Sequence, residues 1–154
     1  MANAESIETI YYLSLFRHGV DEKRRVQIPS KWRPSQPDTE LTLILWPNGS
    51  LTEANLLVLP PAQMKALSDK IEAMPFADPK AQALRRLLGS KSARVTLDKA
   101  GRICIPDALA KAVEIETEAV LVGLVDRFEI WSPKRYDAVN AADAGLLTEA
   151  FKLI

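Results

Sequence analysis

The sequence contains an internal repeat, and this repeat constrains the fold more than any other feature of the chain. Residues 20–29 match residues 97–106 with an offset of 77 positions. The two segments share an aspartate, an arginine, an isoleucine and a proline, and their two other apolar positions are apolar in both copies. A repeat of this kind predicts two copies of one structural unit. Each segment is followed by two runs of buried-strand character and then a proline, at 41–46, 56–59 and Pro61 in the first copy and at 119–124, 128–131 and Pro133 in the second.

Each copy is predicted to fold as strand, turn, strand, short helix, strand, turn, strand. In the second strand of the first copy, Val26 and Ile28 alternate with Arg25 and Gln27, and the second copy has the same alternation. A period of two directs the aliphatic pair to the core and the arginine to the opposite face. A proline then ends each strand, because it has no N–H to donate, and it suits the first turn of a helix. The predicted short helices are residues 30–33 and 107–113.

The two copies define the expected domain organisation. Each copy offers only about 45 residues, too few for a good core of its own. We therefore expect the copies to pack through a pseudo-twofold axis and to share one core. The segment between them has a helical period that is interrupted by Pro75 and Pro79. The sequence thus predicts a mainly β protein with short helices, of the α+β class, divided into a first repeat (10–60), a helical connector (61–90), a second repeat (91–136) and a C-terminal helix (137–154).

Charge is distributed unevenly along a chain whose formal net charge is zero. Residues 17–33 carry six basic and two acidic side chains, and residues 85–111 carry seven basic and two acidic ones. Two such segments can form a cationic face for nucleic acid, although solvated surface charges explain the same counts equally well. No apolar run approaches the roughly 20 residues of a membrane helix. The single cysteine excludes an internal disulfide and a cysteine-based zinc site. We expect a cytoplasmic protein with no membrane partner.

The repeated segments resemble those of a known family. Residues 21–33 and 97–106 are similar to the paired Asp-x-x-Gly-Arg-type loops of the MraZ family, and residues 122–123 and 127–131 are similar to its C-terminal signature. The likeness extends over residues 12–136 in the same order. It implies a double-split β-barrel related to AbrB domains, built from two pseudo-twofold-related repeats, with the subunits joined in a homo-oligomeric ring. It also implies a nucleoid-associated repressor that binds direct repeats in double-stranded DNA, at the promoter of the division and cell-wall gene cluster that includes its own gene.

The resemblance assigns DNA contacts to two aspartate–arginine pairs, Asp21 with Arg25 and Asp98 with Arg102. The planar fork of an arginine can bind phosphate or guanine through two hydrogen bonds. An aspartate placed before it in the turn can hold this fork in one orientation. The alternative is that each ion pair only stabilises its own hairpin.

Three further basic residues, Lys23, Arg24 and Lys99, are predicted to contact phosphates, with a solvated surface position as the alternative. Arg24 occupies the position at which the family usually has glycine, whereas the second loop keeps Gly101. A turn that needs a positive φ favours glycine over arginine. The first loop is therefore expected either to take a different turn or to use Arg24 as an additional phosphate contact.

Two other functions fit parts of the sequence. Asp21, Glu22 and Asp98 could converge as a carboxylate cluster for acid–base chemistry or for a magnesium ion, but nearby basic side chains would neutralise each of them. The sequence also lacks a second histidine and a Gly-Lys-Ser/Thr phosphate loop. An AbrB-type antitoxin would bind a toxin through a disordered tail, whereas residues 137–154 have a helical pattern. We therefore predict a DNA-binding regulator without a catalytic site, a cofactor or a metal.

Overall fold

The computed structural model describes residues 9–154, and these form a mixed α+β fold built on antiparallel strands. The α+β class predicted from the sequence is confirmed. The strands are β1 (Leu15–Gly19), β2 (Arg25–Gln27), β3 (Leu41–Trp46), β4 (Asn55–Leu59), β5 (Ser92–Val95), β6 (Arg102–Cys104), β7 (Glu118–Gly123) and β8 (Phe128–Trp131). The helices are α1 (Pro61–Glu72), α2 (Pro79–Ser90), α3 (Asp107–Ala112), α4 (Pro133–Ala144) and α5 (Leu147–Ala150), with 3-10 turns at Ser30–Trp32, Leu51–Glu53 and Phe151–Leu153.

The strand order shows how the two copies of the repeat are combined. Six strands form one sheet in the order β1-β7-β8-β4-β3-β5, and β2 pairs with β6 in a separate two-stranded ribbon. If each strand is replaced by its counterpart in the other copy (β1 by β5, β3 by β7, β4 by β8 and the reverse), the same order results, read from the opposite edge. The first strand of each copy pairs with the third strand of the other copy, as β1 does with β7 and β5 with β3. The strands of the two copies are therefore interleaved in one sheet, so the copies do not form separate cores.

The closed double-split barrel implied by the family resemblance is not confirmed. The large sheet is open, with β1 and β5 at its two edges. The strands β2 and β6 are only three residues long and pair with each other, so they do not join these edges into a cylinder. In the described part of the chain, the ribbon approaches β1 through an isolated bridge between Val20 and Val26.

The core lies between the inner face of the six-stranded sheet and the ribbon. Val26 and Ile103 stand opposite each other in the ribbon and are fully buried, which confirms the predicted alternation. Trp32 is also buried, and its ring centroid lies 4.9 Å from that of Phe128 in β8. The 3-10 turn that contains Trp32 and the helix α3 occupy the positions predicted for the two short helices. Aliphatic and aromatic packing thus fixes the ribbon on the sheet, with its other face turned outward.

Helices pack on part of the outer face of the sheet. On β3 and β4, Ile44, Leu57 and Leu59 form a second buried cluster with Leu88 of α2. On the other half of the sheet, α4 contacts β7. The α2 helix therefore covers the β3–β4 part of this face, opposite the ribbon, whereas Leu15 on the β1 edge stays 41% exposed.

Prolines set the helix boundaries as the sequence predicts. The connector between the copies divides into α1 and α2 around Pro75, and Pro79 is the first residue of α2. After Pro133, the C-terminal region contains α4, the one-turn helix α5 and a 3-10 turn, in place of a single helix. None of the helices in residues 9–154 is long and apolar enough to cross a membrane.

Candidate nucleic-acid interface

The two repeated turns lie at opposite ends of the β2–β6 ribbon. Loop 1 (residues 21–24) leads into β2, and loop 2 (residues 98–101) leads into β6. The strands are antiparallel, with Arg25 opposite Cys104, so each loop adjoins the end of the opposite strand. The ribbon and its two loops therefore form one surface on which the predicted binding residues of both copies meet.

In loop 1, a single carboxylate organises the turn. Asp21 Oδ1 accepts hydrogen bonds from the backbone N–H groups of Lys23 and Arg25, both at 2.9 Å. Asp21 Oδ2 accepts a bond from Arg25 Nε at 2.7 Å. The backbone N–H of Arg24 donates to the carbonyl oxygen of Asp21 at 2.9 Å and closes the turn. The aspartate thus fixes both the loop backbone and the direction of the arginine fork.

Loop 2 repeats these bonds one for one. Asp98 Oδ1 accepts from the backbone N–H groups of Ala100 and Arg102, both at 2.9 Å, and Asp98 Oδ2 accepts from Arg102 Nε at 3.0 Å. The N–H of Gly101 donates to the carbonyl oxygen of Asp98 at 3.0 Å. Both copies therefore present an arginine in the same way, held at Nε. The two terminal nitrogens of a guanidinium carry its other four N–H donors.

These bonds keep the two loop carboxylates ionised. The backbone N–H of Arg25 lowers the pKa of Asp21 below its usual value, against the opposing effect of desolvation and with help from the Arg25 side chain. The backbone N–H of Arg102 lowers the pKa of Asp98 in the same way. Each carboxylate is thus engaged by its own loop, and the described residues contain no group of three metal-ligating side chains. The carboxylates act here as loop anchors.

The loops also contact each other across the ribbon. Gln27 Nε2 donates to the carbonyl oxygen of Ala100 in loop 2 at 2.7 Å, and Cys104 Sγ donates to that of Lys23 in loop 1 at 3.3 Å. These two side chains occupy equivalent positions in the repeat, and sequence reasoning did not select them. The sequence did contain a signal for them, because both residues occupy the outward-facing position between the two buried aliphatic residues of their strand. The bonds couple each loop to the strand that belongs to the other copy.

The predicted arginines lie within reach of solvent on this surface. The side chains of Arg25 and Arg102 are 33% and 31% exposed. Arg102 Nη1 lies 4.0 Å from Asp21 Oδ2, so this guanidinium extends towards the opposite loop. Lys23 and Lys99 are exposed. The ribbon thus presents two oriented guanidinium groups with flexible ammonium groups beside them.

Arg24 adopts the left-handed turn that loop 2 builds with Gly101. Its φ is 60°, in the left-handed region, and that of Gly101 is 80°. The first loop therefore does not take a different turn. The Arg24 side chain folds back along the ribbon, where Nε donates to the carbonyl oxygen of Ile105 at 3.0 Å. This bond offsets part of the conformational cost of a left-handed arginine.

Replacing Arg24 by alanine is expected to destabilise the protein more than replacing it by glycine. Both variants lose the bond to Ile105, but only alanine keeps a Cβ in the left-handed region, at a cost of roughly 1–2 kcal/mol. Thermal unfolding followed by circular dichroism should give the glycine variant the higher melting temperature. The same two substitutions at Lys23, where φ is not positive, should give the reverse order. A glycine variant that melts no higher than the alanine variant would contradict a strained turn.

Comparison with known proteins identifies the family. Residues 90–151 match the family model described as "MraZ protein, putative antitoxin-like". The chain is 35% identical over 128 residues to the transcriptional regulator MraZ of Herpetosiphon aurantiacus, covering 83% of this chain and 85% of the relative. The chain belongs to the MraZ family. It is also 34% identical to the transcriptional regulator MraZ of Caulobacter vibrioides (90% and 87% covered) and 30% identical to that of Clostridium tetani (86% and 89% covered).

The C-terminal signature shared with the MraZ family has a packing role in this chain. A Cβ at Gly123 would lie 2.2 Å from the carbonyl oxygen of Tyr12, so only glycine fits where the N-terminal segment crosses the end of β7. Tyr12 and Val125 exchange two backbone hydrogen bonds at the same place, of 2.8 and 3.0 Å. Phe128, which follows in β8, is fully buried in the core. This part of the resemblance therefore reflects the fold, whereas the paired loops form the candidate interface.

Proposed function

We propose that this MraZ-family protein is a sequence-specific DNA-binding transcriptional regulator and not an enzyme. The observation that carries the proposal is the pair of identically built loops on one ribbon, each presenting an arginine held by an aspartate. The names of the relatives as transcriptional regulators support the same function. The division into AbrB-like repeats at 10–60 and 91–136, with a connector at 61–90 and an appended segment at 137–154, is part of this proposal. The interleaved strand order supports it.

In the proposed complex, Arg25 and Arg102 read DNA directly. A two-stranded antiparallel ribbon fits the major groove, where a guanidinium can donate two hydrogen bonds to O6 and N7 of guanine. Because Nε of each arginine is already bonded to aspartate, the guanidinium is held in place and its terminal nitrogens remain as donors to a base. Asp21 and Asp98 contribute by holding these forks. Lys23, Lys99 and Arg24 are assigned to phosphate oxygens, which set the position of the protein on the duplex.

The proposed target is the promoter of the division and cell-wall gene cluster, including the gene of this protein, with repression as the outcome. The protein would then act in the cytoplasm at the nucleoid. Because neighbouring subunits of the ring proposed below would each present the same two loops, DNA with short direct repeats is the proposed substrate. Footprinting of the purified protein on the DNA upstream of its own gene tests this directly. Protection of repeated short sites is expected, and the absence of any protected site there would contradict the proposed target.

Binding is expected to weaken steeply as salt increases. Proteins that make about 6–10 phosphate contacts lose roughly 10³- to 10⁵-fold in affinity between 50 and 200 mM salt, because bound cations are released from the DNA. A few copies of this chain on one site would make that number of contacts. Fluorescence anisotropy at four or more salt concentrations measures the slope. A dissociation constant that does not change with salt would indicate a partner other than nucleic acid.

We also propose that the protein acts as a homo-oligomer closed into a ring. Large apolar side chains near the β1 edge of the sheet are exposed, among them Tyr11 (65%), Leu13 (58%), Leu15 (41%) and Val125 (56%). On the other half of the sheet, which contains β3, β4 and β5, α2 buries Leu88 against β3 and β4. A second copy of the chain is the proposed cover for the exposed half. Closed rotational symmetry uses such a surface without forming open filaments.

A further inference from the structure

Arg33 lies directly against loop 2, although it follows the 3-10 turn of the other copy. Its Nε donates to the carbonyl oxygen of Ile28 at 2.8 Å. Its guanidinium covers Gly101 so closely that a Cβ on this glycine would lie 2.4 Å from Arg33 Cζ and 2.7 Å from Nη1. The space in which a side chain of Gly101 would begin is therefore occupied by Arg33.

The other end of the ribbon has the same arrangement with a different donor. There Arg24, which is equivalent to Gly101 in the repeat, donates from Nε to the carbonyl oxygen of Ile105, which is equivalent to Ile28. The backbone bonds beside the two guanidinium groups also correspond. Ile28 N–H donates to the Gly101 carbonyl at 2.9 Å, and Ile105 N–H donates to the Arg24 carbonyl at 2.9 Å. At both ends, a guanidinium thus bonds to the carbonyl that precedes a proline, beside a left-handed turn residue.

We propose that Arg33 is the positioning residue of loop 2, supplying the guanidinium that Arg24 supplies from within loop 1. The inference rests on the proposed function, because the purpose of the positioning is to hold Arg102 for DNA. It accounts for the difference between the two loops. In loop 2 the turn residue is Gly101, because Arg33 occupies the space that its side chain would need. In loop 1 the turn residue is Arg24, whose own side chain supplies the guanidinium.

Arg33 is connected to Arg102 through a single residue, Gly101. Gly101 immediately precedes Arg102, and its carbonyl oxygen accepts the bond from Ile28. Removing Arg33 leaves the carbonyl of Ile28 without this donor and opens space above the turn residue. The turn can then sample other conformations, and the Asp98–Arg102 bonds no longer fix one direction of the fork. A misplacement of even about 1 Å weakens contacts that depend on geometry.

The test compares four full-length proteins: wild type, Arg33→Ala, the double variant Arg33→Ala with Gly101→Arg, and Lys31→Ala. The double variant rebuilds in loop 2 the arrangement that loop 1 already has, and Arg24 shows that an arginine tolerates this turn at a φ of 60°. Lys31 is an exposed cation on the 3-10 turn that Arg33 follows, and its replacement controls for the lost charge. Affinity is measured at several salt concentrations on the fragment upstream of the protein's own gene and on unrelated DNA of equal length.

We expect Arg33→Ala to weaken binding to the upstream fragment by about tenfold, within the range for a misaligned guanine contact. Its affinity for unrelated DNA and the slope of affinity against salt should match wild type, because phosphate contacts are retained. The double variant should recover to within about threefold of wild type, and Lys31→Ala should retain wild-type discrimination between the two fragments. Arg33→Ala with wild-type affinity, a double variant no better than Arg33→Ala, or a reduced salt slope on both DNAs would each overturn the positioning role.

A second measurement separates this inference from the proposed function. Amide NMR signals of residues 100–102 report the order of loop 2 in the free protein. Line broadening or faster hydrogen exchange of these amides in Arg33→Ala, reversed in the double variant, is expected even if the protein binds no DNA. If wild type fails to bind the fragment, the proposed function fails. If these amides are unchanged in Arg33→Ala, the positioning role fails.

Discussion

Replacing Arg25 or Arg102 by alanine is expected to abolish specific DNA binding while leaving the fold intact. Both side chains point away from the core, and each is bonded through Nε to the aspartate of its own loop. A lost bidentate contact to a base costs roughly 1–3 kcal/mol. The loss is multiplied when several subunits engage neighbouring DNA repeats at once. Electrophoretic mobility shift with the upstream fragment measures the effect, and circular dichroism checks the fold.

The matched control for these variants is Arg86→Ala. Arg86 is an exposed arginine on α2, which packs on the face of the sheet opposite the ribbon. The substitution Arg86→Ala removes the same charge and the same type of side chain without changing either loop, so this variant is expected to bind specific DNA with wild-type affinity. If Arg25→Ala and Arg102→Ala also bind with wild-type affinity, the ribbon is not the DNA-contacting surface. If only one of them loses binding, the two loops have separate roles despite their matching geometry.

Disrupting the exposed apolar surface near β1 is expected to dissociate the oligomer and to remove tight DNA binding with it. The variant is Leu13→Glu with Leu15→Glu, which places two charges where 58% and 41% exposed leucines lie. One chain offers only two short loops, whereas specific protein–DNA interfaces commonly bury about 1,000 Å² or more of protein. Joining several chains raises the effective concentration of the remaining loops after the first has bound. Multi-angle light scattering and DNA affinity are measured on the same samples.

Wild type is expected at several times the chain mass of 17.1 kDa, and the double variant near that mass with weak, non-specific binding. Ala66→Glu, at an exposed position on α1, is the control and should keep the wild-type mass. A wild-type species near 17.1 kDa that still binds its DNA tightly would contradict the ring. A double variant that remains assembled would place the subunit interface elsewhere on the surface.

The sequence by itself determined the features that depend on neighbouring residues. The alternation of Val26 and Ile28 with polar residues predicted which face of the ribbon is buried, because a strand directs successive side chains to opposite sides. Pro75 and Pro79 predicted the division between α1 and α2, because proline cannot continue a helix interior. The repeated aspartate and arginine predicted the contact inside each loop, since both partners belong to one turn. The family followed from these motifs as well.

Only the tertiary structure decided how the two copies combine. Equivalent strands can pair within a copy or between copies, and no local pattern distinguishes β1 paired with β7 from β1 paired within its own copy. The same applies to closure, because the open sheet depends on how two three-residue strands pack over the core. The contacts of Gln27 with Ala100 and of Arg33 with Gly101 join positions far apart in the chain. Such contacts are set by the packing of the whole domain, and that packing brings Arg33 of the first copy into the space left by the glycine of the second.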